Sequence, residues 1–345
     1  MRHYHRTKMV LPTNKTSKVE RKKMFPKRSD LKIQFSHIAY QFEKQFSLRN
    51  MGIDNYSTWS PEETAERISE ADIIVATGFW RNELLEQANR LKLIQVAGAG
   101  YDQFDVDAIK SKGIRMVNGR GVNANAVAEH AMALILGISR QTHLARDAQQ
   151  QKIWRGMNPD LGTREEELAG KNMLIIGAGQ IGSKIASISR GFGIRTTGMR
   201  RNISQIDNSF DYSFPIENKL DQLAKADIVV LCCPLTPETK GIIDSEAFDA
   251  MKNSAYLINV ARGACVIESD LITALKNGDI AAAGIDVTDP EPLPSSSELW
   301  GIENVILTPH TGGETRLYED NVLDILIENI QRLERGETDL LNQIV

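Results

Sequence analysis

From residue 172 onward, short apolar runs recur between stretches with a helical repeat. They read NMLIIG, RTTGM, ADIVVLCCP, SAYLINV, AAAGIDV and NVILTPH, with IGSKIASISRGFG between the first two. Runs without a polar alternation suit strands covered on both faces, and helices between them imply right-handed parallel crossovers. The pattern predicts a doubly wound α/β sheet. Upstream, LKIQFSHIAY, ADIIVATG, LKLIQVAGAG and GIRMVNG repeat the rhythm in shorter pieces, separated by the helical stretches PEETAERISEA and NELLEQANRL. This predicts a second, smaller α/β unit. Between the two, NANAVAEHAMALILGISRQTHLARDAQQQ reads as one long helix with Val127, Ala131, Leu134, Ile138 and Leu144 on its apolar side, linking the units. Residues 318–335 form a further amphipathic helix, ended by Gly336.

Composition narrows the class. A chain of 345 residues, 41% hydrophobic and 25% charged, has the length and core of about two globular domains. No apolar run approaches the roughly 18 residues that span a bilayer, and no secretory signal is present, so a cytoplasmic protein is expected. Cys232, Cys233 and Cys265 make neither a disulfide framework nor a paired metal motif, and none of the six histidines is in a spacing that we assign to a metal. The net charge of −4 hides an asymmetry: residues 1–30 carry ten Lys/Arg against Glu20 and Asp30, a basic tail of +8 on a body of −12. Such a tail can act as an arm for a polyanion. It also contains Met9 and Met24, either of which could start the chain. It is set outside the fold, with neither nucleic acid nor membrane expected as a partner.

Gly177-Ala178-Gly179-Gln180-Ile181-Gly182 follows the strand NMLIIG directly and opens a helix. In that setting the glycines allow a tight turn, the approach of a pyrophosphate and close packing of helix on strand, and the helix N-terminus faces the anion. About twenty residues on, where a carboxylate usually meets the adenosine ribose, stand Arg200 and Arg201. Guanidinium groups suit a 2′-phosphate, so NADP(H) is expected over NAD(H), which stays open if these arginines are only solvated loop charges.

Three segments gather chemistry just after predicted strands: INVARGACV with Arg262, GIDVTDPEPLP with Asp286 and Glu291, and ILTPHTGGET with His310. Taken singly, these are equally an ion-pair partner, solvated loop charges and a turn histidine. Together with AGAGYDQFDVDAIKSKGIRMVNGRGVNANAVAEHAM, the GAGQIG loop and CCPLTPETKGIID, in that order, they make residues 71–335 resemble the NAD(P)-dependent D-isomer-specific 2-hydroxyacid dehydrogenases, in particular the glyoxylate/hydroxypyruvate reductases.

The resemblance implies a Rossmann-type domain over 136–317 and a smaller, discontinuous, flavodoxin-like substrate domain over 31–135 and 318–345. It implies Arg262, Glu291 and His310 as the catalytic set. Arg262 would hold the carboxylate of a 2-oxo acid, and His310 would deliver the proton with Glu291 orienting its ring and favouring its charged form. It further implies substrate contacts at the amides of Ala99 and Gly100, and cofactor contacts at Pro234, Thr239, Val260, Ala261, Asp286, Gly312 and Gly313. Trp80 is read either as a cap over the pocket or as an apolar anchor between subunits. Val75 and Val96 stand where relatives acting on phosphoglycerate have loop arginines, which argues for a small unphosphorylated 2-oxo acid such as glyoxylate or hydroxypyruvate, with Arg81 keeping the matter open. A homodimer is expected from the long linking helix and the exposed apolar positions in HAMALIL, since the resemblance implies pairing through the cofactor domains. The alternative is a dinucleotide-sensing regulator or corepressor of the same fold, with little turnover.

Overall fold

The computed structural model describes residues 25–205 and 207–345, so most of the basic tail lies outside the described residues. The strands β1 (Lys32–Ser36), β2 (Asp54–Thr58), β3 (Ile73–Ala76), β4 (Leu93–Val96) and β5 (Arg115–Val117) form one parallel sheet in the order β2-β1-β3-β4-β5. A second parallel sheet holds β6 (Asn172–Ile176), β7 (Arg195–Met199), β8 (Tyr212–Phe214), β9 (Ile228–Leu231), β10 (Tyr256–Asn259), β11 (Ala282–Ile285) and β12 (Val305–Leu307). Its order is β8-β7-β6-β9-β10-β11-β12, the doubly wound Rossmann arrangement with one strand added. The smaller sheet has the flavodoxin-like order. In each sheet the order reverses beside the first strand, which opens a crevice at the carboxyl ends, where open α/β sheets bind ligands.

Burial follows the apolar runs. The central strands β3, β4, β9, β10 and β11 are buried at every position, as expected for strands with helices on both faces. Two edge strands were not predicted. β2, DNYST, buries only Tyr56 and Thr58, and β8, YSF, buries nothing, so neither carries an apolar run. The stretch NELLEQANRL is not an α-helix but a five-residue 3-10 turn, Asn82–Glu86.

The predicted linking helix is two helices, Ala124–Ser139 and Thr142–Gln150, separated at Gln141, whose φ of 52° is left-handed and ends the first helix. The first packs on the Gln180–Gly191 helix and on β10, β11 and β12. A Cβ on Gly284 of β11 would meet Leu134 Cβ at 2.9 Å, so strand and helix need a glycine there. This helix therefore belongs with the seven-stranded sheet, and the division drawn after residue 135 moves to before Ala124. Ala131, Met132, Leu134 and Ile135 of HAMALIL are buried in this contact, so their exposure is no argument for a dimer.

The chain returns to the smaller sheet through the Tyr318–Glu334 helix, ended at Gly336 with φ 75°. Tyr318, Val322, Leu323, Leu326 and Ile330 join Phe35, Phe42 and Phe46 in one core. The far edge of β5 is covered by the last residues: Met116 N donates to Val345 O at 3.1 Å and Asn118 N to Asn342 O at 3.2 Å.

Trp80 is neither cap nor anchor. It is 1% exposed, stacked on Phe104 with ring centroids 5.2 Å apart, and its indole N–H donates to Asn82 Oδ1 at 3.0 Å. An indole with a satisfied N–H belongs in a core. Trp80→Ala is expected to cost about 3–5 kcal/mol of stability by denaturant unfolding; a loss below about 1 kcal/mol would return the residue to the surface.

Candidate active site

The site is built from the carboxyl ends of β10, β11 and β12. Asp286 follows β11 directly and is 4% exposed. Its Oδ1 accepts from Thr308 Oγ1 at 2.6 Å and Thr311 N at 3.0 Å, and its Oδ2 accepts from Gly312 N at 3.0 Å. His130 Nε2 stands 3.3 Å from Oδ1 and 2.9 Å from the Thr308 hydroxyl. Burial alone would raise the Asp286 pKa; the contacts from His130, Thr308 and the Gly312 amide outweigh it and hold the carboxyl below its ordinary value. The carboxylate thus ties down the 308–312 loop, a positioning role not foreseen for it. His130, midway along an apolar helix, carried no sequence signal beyond being a polar residue in a buried stretch.

That loop presents His310 in the left-handed region, φ 55°, with its N–H donating to Asp286 O at 2.8 Å. His310 Nδ1 is 2.9 Å from Glu291 Oε2, and the other Glu291 oxygen accepts from Thr288 N at 3.1 Å. The pair lines a pocket of about 580 Å³ whose apolar wall is Pro292, Leu293 and Trp300. With Nδ1 engaged, Nε2 is the ring nitrogen left free for other chemistry.

Arg262 comes from the loop after β10, its Nη1 donating to Ala261 O at 2.7 Å. The guanidinium reaches the smaller unit, where its Nη2 lies against Gly100 in the space that a Cβ would take. The backbone N–H groups of Ala99 and Gly100 donate no hydrogen bond within the described residues. Two amides and a guanidinium thus converge between the units. No carboxylate lies within ion-pair distance of Arg262 among the described residues.

The Gly-rich loop behaves as its spacing predicts. Gly177, φ 114°, packs so closely on the 232–233 backbone that a Cβ would fall 2.5 Å from Cys233 N. At Gly182 a Cβ would meet Gly177 O at 2.5 Å, whereas Gly179 faces open space. The N–H groups of Gln180, Ile181 and Gly182, which open the Gln180–Gly191 helix, find no partner among the described residues. A tight turn, open space and free amides at a helix start fit a dinucleotide pyrophosphate. The adjoining cleft of about 500 Å³ is lined by Gly179, Arg200, Arg201, Pro234, Thr239 and, from the smaller unit, Arg120. Thr239 Oγ1 donates to Pro234 O at 2.7 Å, which closes this wall of the cleft. Val260 and Ala261 are buried at the end of β10, and Gly313 lies against Asn123, where a Cβ would be 2.5 Å from its Nδ2. Arg120 was missed; its only signal was a lone arginine between two glycines.

Val75, Val96 and Arg81 do not bear on the choice of substrate. Val75 and Val96 are fully buried strand residues in the packed cores of the smaller unit, and Arg81 donates to the carbonyls of Gly78 and Trp80, both at 2.7 Å. A cleft of about 770 Å³ along the Thr142–Gln150 helix carries none of the groups above. No group of His, Cys, Asp and Glu among the described residues could hold a metal ion. No helix among them is long and apolar enough to cross a membrane.

The fold and cleft define a dinucleotide-binding enzyme of the Rossmann class, and comparison with known proteins makes the class specific. Residues 132–312 match the family described as "D-isomer specific 2-hydroxyacid dehydrogenase, NAD binding domain". The chain is 34% identical over 287 residues to a glyoxylate reductase of Pyrococcus furiosus, covering 80% of this chain and 83% of that one. It is 31% identical over 290 residues to a hydroxypyruvate reductase of Blautia hydrogenotrophica, covering 82% and 88%. A solved structure of a D-isomer specific 2-hydroxyacid dehydrogenase family protein from Aeromonas salmonicida superposes with a TM-score of 0.81 at 30% identity, over 92% of this chain and 99% of that one. The chain belongs to the D-isomer specific 2-hydroxyacid dehydrogenase family, oxidoreductases that interconvert 2-oxo and 2-hydroxy acids.

Asp286 yields a test. Its depressed pKa makes its contribution to stability present above the ordinary carboxylate value of about 4 and lost as pH falls through the folded value. Asp286→Ala is expected to lack that acid-side loss and, by releasing the His310 loop, to lower kcat by about 100-fold. Thermal melts across pH 3 to 7, alongside steady-state rates, check both; an unchanged kcat would deny the positioning role.

Proposed function

We propose that the protein reduces a small 2-oxo acid, glyoxylate, hydroxypyruvate or a close analogue, to the D-2-hydroxy acid, with NADPH as the preferred donor. The observation that carries this reading is the 2.9 Å contact of His310 Nδ1 with Glu291 at one side of the cleft. The names of the similar reductases support the substrate size.

When bound, the dinucleotide supplies the hydride. Arg262 holds the substrate carboxylate and polarises the ketone, and the free amides of Ala99 and Gly100 take the remaining carboxylate oxygen. Asp286, Gly312 and the backbone at Val260 and Ala261 shape the wall for the nicotinamide. His310 gives a proton from Nε2 to the ketone oxygen in reduction and takes it back in oxidation. Glu291, anchored by Thr288 N, keeps Nδ1 engaged and fixes the orientation of the ring. Arg200 and Arg201, both lining the cleft and neither within ion-pair distance of a carboxylate among the described residues, support a 2′-phosphate there. The three free thiols accord with the reducing cytoplasm.

A homodimer rests on a surface other than HAMALIL: Trp154 is 98% exposed, Met157 100% and Leu161 79%, an apolar group beside the Thr142–Gln150 helix. Sedimentation should show a dimer that Trp154→Ser with Met157→Ser converts to a monomer; a wild-type monomer would refute it. His310→Asn is expected to lower kcat at least about 100-fold with NADPH still bound, measured with a panel of 2-oxo acids. Near-normal kcat in the variant would remove His310 from proton transfer. No turnover by the wild type with any acid, alongside tight cofactor binding, would favour a regulator. The same assays should give a higher kcat/KM for NADPH than for NADH, and Arg200→Ala with Arg201→Ala should erase the difference.

A further inference from the structure

Arg120 lies on the first crossing between the two units, and its backbone is fixed to the smaller one. Asn118 Nδ2 donates to Ala99 O at 2.7 Å, Gly119 N to Gly98 O at 2.8 Å, and Asn342 Nδ2 to Arg120 O at 2.9 Å. The next residue comes up against the other unit: Gly121, whose φ of 96° suits glycine, stands beside the side chain of Gln180, the first residue of the helix after the Gly-rich loop, with the place of a Cβ 2.6 Å from its Oε1. Arg120 is thereby held over the N-terminus of that helix. Its side chain is exposed and lines the cleft with Gly177, Gly179, Arg200 and Arg201. The guanidinium has one long contact, Nη2 to Asn342 Oδ1 at 3.4 Å, and no carboxylate within ion-pair distance among the described residues. On the same unit Arg49 is paired with Asp320 and Asp324 and Arg90 with Asp72, whereas Arg81 and Arg115 donate to backbone carbonyls and, unlike Arg120, line none of this cleft.

We infer that Arg120 binds the pyrophosphate of the dinucleotide, supplying from the substrate-side unit the cation for a site whose other half is the free amides of Gln180, Ile181 and Gly182. The placement separates its task from that of Arg200 and Arg201. Those two follow β7, at the adenosine end, whereas Arg120 stands over the helix start, where the diphosphate common to NADH and NADPH would lie. A guanidinium offers two parallel N–H donors to a phosphate, and the bond strengthens as water leaves the cleft. Because the two halves of this site belong to different units, the diphosphate bridges them and draws the cleft shut before the 2-oxo acid reacts. The inference rests on dinucleotide binding in this cleft and is independent of any preference for NADPH.

Calorimetric titration with ADP-ribose, NADH and NADPH tests it on the wild type, Arg120→Gln and Arg120→Lys. Arg120→Gln is expected to weaken all three by about 10- to 100-fold, as for loss of a hydrogen bond to a charged group, and to leave the NADPH-to-NADH ratio as in the wild type. Arg120→Lys, which keeps the charge but not the fork, should recover part of the loss. Unchanged melting temperatures establish that both variants fold. ADP-ribose affinity within twofold of wild type in Arg120→Gln overturns the inference. So does weakening confined to NADPH, which would place the guanidinium on the 2′-phosphate. In small-angle scattering, saturating ADP-ribose should reduce the radius of gyration of the wild type and not of Arg120→Gln; equal compaction of both would exclude the bridge. A wild-type ratio of one between NADPH and NADH would refute the cofactor preference alone, since the ADP-ribose arm decides the role of Arg120.

Discussion

The buried carboxylate of Asp286 is the constraint around which the rest of the site is arranged. A charge removed from water costs several kcal/mol unless donors replace the water, and here the donors are the hydroxyl of Thr308, the amides of Thr311 and Gly312, and the imidazole of His130. Satisfying the charge therefore shapes the loop. The same loop carries His310 toward Glu291 and turns the chain back toward the smaller sheet. Packing at Gly312, where a Cβ would lie 2.8 Å from Asp286 Oδ2, shows how little freedom the arrangement leaves.

A second constraint is electrostatic. The body from residue 31 onward has a net charge of −12, yet its ligands are anions. The conflict is resolved locally. Arg120, Arg200, Arg201 and Arg262 lie within the cleft or at its edge without carboxylate partners among the described residues, and unpaired backbone amides stand at both the helix start and the Ala99–Gly100 turn. Guanidinium groups without a counter-charge and amides without an acceptor are the groups that an anion would satisfy.

How much of this could be read from the sequence depends on which physical signal each feature leaves. Strands covered on both faces, such as IVVL and YLIN, announce themselves as apolar runs, and the Gly-rich loop is legible because its backbone requirements demand glycine. Edge strands β2 and β8 escape because a half-exposed strand needs no such run. The break at Gln141 escapes because a left-handed residue other than glycine leaves no compositional mark. Trp80, Val75 and Val96 were placed by adjacency to a motif, whereas alternation along the strand and the packing of the loop after it sent them into cores. The Glu291–His310 pair was correctly joined only through resemblance, since their spacing along the chain carries no distance. The contacts of His130 and Arg120 arise between segments far apart in sequence and could not be read at all.

The return of the Tyr318–Glu334 helix has a consequence for assembly. The smaller sheet cannot bury Phe35, Phe42 and Phe46 fully until Val322, Leu326 and Ile330 arrive, and the whole seven-stranded unit lies between the two pieces. Its contacts are thus among the most distant along the chain, and loop-closure entropy delays them. The seven-stranded unit, continuous in sequence, can form first and carry both ends of the chain to one face. On this topology the smaller unit matures as a dependent of the larger, so a substitution that slows folding of the Rossmann sheet also delays completion of the substrate side.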